Sequence, residues 1–83
     1  MEIPLKDRLL IYLRNVWNVD PFLWVHKAHL EELSKQAGYL GDNGTRRLRE
    51  MVNERTIERN PKSPTGEYSY LPSLEDIGNH PKL

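Results

Sequence analysis

The chain has no cysteine. That excludes disulfides, thiolate metal sites and cysteine nucleophiles, and it fits a reducing, cytoplasmic setting. Long hydrophobic runs are also missing. No apolar stretch approaches the ~18 residues of a membrane span, and the amino terminus lacks the charged-then-apolar layout of a signal peptide. Net charge is absent as well, since twelve Lys and Arg cancel twelve Asp and Glu. A nucleic-acid module is usually basic, so any such role must rest on where the charges lie. A chain this short buries only about 60% of the surface its unfolded form exposes, which means one domain and a small core.

The charge that is present is unevenly spread. Residues 1–40 carry five basic and five acidic side chains. Between Gly41 and Lys62 six basic residues (Arg46, Arg47, Arg49, Arg55, Arg59, Lys62) face four acids, a net of +2. From Ser63 onward one lysine faces three acids, a net of −2. A local basic patch steers a polyanion even when the total is zero.

Apolar spacing supplies the elements. Leu5, Leu9, Tyr12, Leu13 and Val16 recur at three and four residues and predict a first helix. Pro4 suits its first position, and Asp20-Pro21 predicts a stop near residues 15–18. Phe22 to His26 is short, aromatic and β-branched and reads as a strand. Ala28, Leu30, Leu33 and Ala37 predict a second helix, closed by Gly38 as a left-handed cap. Gly41-Asp42-Asn43-Gly44 reads as a turn, in which Asp42 or Asn43 caps a third helix from about Asn43 to Arg55. Thr56–Asn60 and Glu67–Leu71 read as two strands around a polar loop, and Pro72 as the end of the second. Residues 72–83 read as a partly disordered tail.

The third helix carries most of the functional information. At 100° per residue Leu48, Met51 and Val52 share one face, with Gly44 beside them. Arg46, Arg49, Glu50 and Asn53 lie opposite, flanked by Thr45 and Arg47. So thin an apolar edge suits a helix that docks on something polar. Trp17, Trp24 and Phe22 are expected mainly in the core, and Tyr68 and Tyr70 against the third helix.

In this order of elements, three stretches resemble the winged-helix segments of phage and prokaryotic DNA-binding proteins. They are Trp24-Val25-His26 with the following helix through Gly38-Tyr39, Asn43 to Met51, and Ile57-Glu58-Arg59. The likeness spans about Leu5 to Leu71. Thr56 departs from it, standing where a glycine is usual. The resemblance implies an α+β fold, a three-helix winged helix-turn-helix over residues 4–71 with a small β-hairpin wing. It also implies a double-stranded DNA partner for a transcriptional regulator or replication accessory.

In such an arrangement the third helix enters the major groove leading end first. Arginine pairs bidentately with guanine and asparagine with adenine, so Asn43, Thr45, Arg46 and Arg49 near the leading end are candidate readers, and Asn53 on the same outer face is a further candidate DNA contact. Arg47 and Arg59 are candidate phosphate contacts, as are Lys62 and Ser63 at the tip of the wing. The alternative is a winged helix used for protein–protein contact, including a homodimer, for which neutral charge is ordinary. Binding of structured RNA is a third, weaker reading. No cofactor or enzymatic activity is expected. His26, His29 and His80 lack the convergence a metal requires, and neither a nucleophile elbow nor a phosphate loop occurs.

Overall fold

The computed structural model describes residues 3–39 and 41–73, with the backbone alone at 41 and 42. Three helices and three strands follow in the order α1 (Leu5–Val19), β1 (Val25–His26), α2 (Lys27–Gln36), α3 (Gly41–Asn53), β2 (Ile57–Arg59) and β3 (Ser69–Pro72). The strands form one antiparallel sheet in the order β1-β3-β2, so the last strand is central. Val25 pairs with Tyr70 on one side of it, and Arg59 pairs with Tyr70 on the other. No helix among the described residues is long and apolar enough to cross a membrane.

The α1 stripe is the spine of the core. Leu5, Leu9, Leu13 and Trp17 are buried along it. Leu30 of α2, Leu48 and Met51 of α3, and Val25, Ile57 and Tyr70 of the sheet close over the three leucines. Pro4 is the cap residue rather than the first helical one, and the helix runs to Val19, past the expected stop. Asp20 and Pro21 then form a tight turn, in which the Leu23 amide donates to the Asp20 carbonyl at 3.2 Å. Phe22 occupies its third position with φ +67°, left-handed geometry that a bulky residue adopts only at a cost. That turn displaces the expected strand, leaving only Val25–His26 extended. Phe22 is exposed and Trp24 half-buried, which corrects their expected place in the core, and Leu23 is exposed beside them. Trp17 is in the interior, with the Phe22 ring edge-on at 4.5 Å.

Local chemistry sets the other boundaries. His26 caps α2, its Nδ1 accepting from the Ala28 amide at 3.0 Å. Both α2 and α3 end in the same pair of backbone hydrogen bonds. Gly38 donates to Lys35 and Tyr39 to Ser34, as Arg55 donates to Val52 and Thr56 to Met51. The left-handed residue is Gly38 (φ +92°) in the first and Arg55 (φ +63°) in the second. The position that calls for glycine after α3 is thus 55, one before the Thr56 singled out in the sequence. Pro72 does not end β3. Hydrogen bonds from Asn60 to Ser69 and from Ser73 to Thr56 bracket the ladder and leave the Ile57–Pro72 pair at a position without one. Its missing N–H points past the end of β1, where nothing pairs. Of the expected tail, residues 74–83 lie outside the described residues.

The turn expected at residues 41–44 is the first turn of α3, so Asp42 and Asn43 are helical rather than capping. Gly44 is there for closeness. A Cβ on it would sit 2.5 Å from the Ser34 hydroxyl and 3.2 Å from the Ser34 Cβ on α2. Ser34 is fully buried and holds the Leu30 carbonyl at 3.0 Å, so it has nowhere to go. Gly44→Ala is expected to destabilise the domain by about 1–3 kcal/mol despite alanine's better helix propensity. Ser34→Gly in the same chain should recover part of that loss. Denaturant melts of the two single variants and the double variant measure the coupling.

Candidate nucleic-acid interface

Gly44, Leu48 and Met51 are the buried line of α3, and the rest of the helix divides into three strips. Outermost are Arg46, Arg49 and Asn53, all exposed. Neither arginine enters a salt bridge with another described residue.

The strip nearer α1 is internally neutralised. Lys6 reaches across from α1 to Glu50 at 3.1 Å and Glu54 at 3.0 Å, and Arg47 reaches Glu50 at 3.1 Å. Hydrogen bonding to Glu54, then to Glu50, raises the Lys6 ammonium above its ordinary value. The same contact with Lys6 holds the Glu50 carboxyl below the usual glutamate range. Asn43 is half-buried on this side, in a shallow depression with Pro4, Leu5, Lys6, Tyr39 and Arg47. Arg47 and Asn43 therefore stand apart from the free cations.

The strip nearer the sheet forms a groove lined by Thr45, Arg49, Val52, Asn53, Arg59, Tyr68 and Tyr70. The Arg59 guanidinium lies over the Tyr68 ring, 4.5 Å from its centre. Such a contact orients the cation without cancelling its charge. Tyr70 is at the floor of the groove, where burial pushes its phenol up and the charges of Arg59 and Arg49 pull it back. Thr45 is committed elsewhere, its hydroxyl donating to a Glu31 carboxylate oxygen at 2.8 Å and tying α3 to α2. It is a brace rather than a free reader.

The hairpin loop is held by its own side chains. The Asn60 carboxamide oxygen accepts from the Lys62 amide at 3.0 Å, and the Ser63 hydroxyl accepts from the Ser69 amide at 3.2 Å. Ser63 is thereby half-buried and structural, whereas Lys62 is exposed at the tip.

Of the nine residues expected at an interface, Thr45, Arg49, Asn53 and Arg59 line one groove and Arg46 stands beside it. Lys62 projects from the adjoining hairpin. Asn43, Thr45, Arg47 and Ser63 do not join them as free groups. Two contributors were not foreseen, Lys6 and Tyr68 as the seat of Arg59. Alternation already placed Tyr68 with Tyr70 on the α3 side of the strand; what it left out is the contact with Arg59, to which Tyr68 is diagonal. Nothing local ties Lys6 to residues more than forty positions away.

No family model, curated protein or solved structure matches this chain. The site must be read from its own chemistry. Among the described residues no cluster of histidine and carboxylate side chains could hold a metal, and His80 lies outside them.

Proposed function

We propose that this protein is a winged-helix domain that binds double-stranded DNA, with α3 in the major groove and the β2–β3 hairpin as the wing. The element order supports the reading, as does a sheet in which the first strand joins the last. The observation that carries it is the thin anchorage of α3. Burial along one edge leaves Arg46, Arg49 and Asn53 free, and Arg59 and Lys62 extend the same positive surface onto the hairpin. Arg46, Arg49 and Asn53 have the donors that read purine edges. Arg59 and Lys62 are better suited to phosphate, which positions without specifying. The likeness to phage and prokaryotic proteins favours a cytoplasmic regulator or replication accessory.

A salt titration tests this. Binding of the full chain to a duplex is expected to weaken with a log–log slope of about −0.9 per phosphate neutralised, so about −2 if Arg59 and Lys62 meet phosphate while Arg46 and Arg49 read bases. Fluorescence anisotropy between low and physiological salt measures it. The second reading, a winged helix that contacts a protein, draws on the zero net charge and on the internal pairing of Arg47 with Glu50. It predicts no duplex binding and only shallow salt dependence for its partner.

A further inference from the structure

Every large hydrophobic side chain exposed among the described residues lies on α1 or beside it. They are Ile3, Ile11, Val19, Phe22 and Leu23, with Val19 87% and Phe22 65% accessible. The rest of the described surface has no counterpart, and scattered single residues would not concentrate in one quarter of the chain. At 100° per residue Ile11, Asn15 and Val19 follow one another along a side of α1, with half-buried Tyr12 and Val16 adjoining. Val16, Val19 and Leu23 line an open apolar depression with Asn15 and Asp20. Lys6, which reaches α3, projects from the other side of α1. The apolar side thus faces away from the proposed DNA surface.

We infer that this side of α1 is the interface of a two-fold dimer, in which a second copy of the chain packs its own α1 antiparallel to the first. The charges select that occupant. Arg8 borders the strip near its amino-terminal end, and Asp20 borders it at the carboxy-terminal end. Antiparallel packing about an axis between Tyr12 and Asn15 brings Arg8 of each copy to Asp20 of the other, and Ile3 of each toward Leu23 of the other. Parallel packing would oppose like charges and like helix ends. An interface of this kind is isologous, so one strip serves both subunits. A helix of fifteen residues is about 22 Å long, which with its flanks gives a contact at the small end of specific interfaces. The dimer is therefore weak and concentration-dependent.

Sedimentation of the full chain without DNA, from about 10 µM to about 1 mM, spans the range in which so small an interface forms. The expected result is a monomer–dimer equilibrium. Val19→Glu should leave a monomer with an unchanged helical circular dichroism spectrum, since Val19 packs on almost nothing in the single chain. Arg8→Asp and Asp20→Arg should each weaken the dimer, and the two together should restore it. A parent that stays monomeric throughout, a dimer that survives Val19→Glu, or a double charge swap that fails to recover would overturn the inference. Because no nucleic acid is present, the outcome is independent of whether α3 binds DNA.

Discussion

Replacing Arg46 and Arg49 together with alanine is expected to reduce affinity for a cognate duplex by about a hundredfold or more, with the fold intact. A well-formed bidentate pair with a base discriminates by about 1–3 kcal/mol, and about 1.4 kcal/mol is tenfold in affinity. Both side chains are exposed, so neither truncation opens the core. A duplex obtained by selection from random oligonucleotides supplies the cognate site, and anisotropy with thermal melting separates binding from folding. A base-reading arginine should also relax sequence preference at its position, whereas Arg59→Ala should lower affinity for all sequences alike. If the double variant binds like the parent, α3 is not the reading element.

Leu48→Ala is expected to act on the opposite property. Leu48 is 1% accessible and projects from α3 roughly opposite Arg46. Truncating a leucine so enclosed costs about 2–5 kcal/mol, a large share of the stability of a small domain. Leu48→Met conserves most of the volume and should cost under about 1.5 kcal/mol. Chemical denaturation gives both values. One helix then yields two separable phenotypes: loss of binding without loss of fold at Arg46 and Arg49, and loss of fold at Leu48. A minor effect of Leu48→Ala would mean that α3 is not anchored along this edge.

Periodicity made the helices legible. The leucine spacing of α1, the glycine after α2 and the narrow edge of α3 all carry local signals, and each element lies within a few residues of its expected place. The misreadings occur where tertiary contact outweighs local preference. Gly44 looks like a turn residue because glycine usually serves backbone freedom; here it serves the approach of α3 to Ser34. Phe22 looks like strand core because it is aromatic, but the Asp20-Pro21 turn commits its backbone first. Pro72 is tolerated in a central strand only because β1 is too short to reach it. The candidate site was partly legible for the same reason. Helical phase identified Arg46, Arg49 and Asn53 as outward. That Thr45 faces a partner instead depends on Glu31, whose position follows from packing, whereas the Arg47–Glu50 pair is three residues apart on one helix and is a local contact.

The Lys6 bridge means that the electrical character of α3 is not a property of α3 alone. Two carboxylates on its flank would repel an approaching phosphate were they not screened by an ammonium borrowed from the neighbouring α1. Fraying of the amino-terminal helix would withdraw that ammonium and leave the α1-facing flank of α3 acidic. Affinity for a polyanion would then report on the integrity of a segment that never touches it.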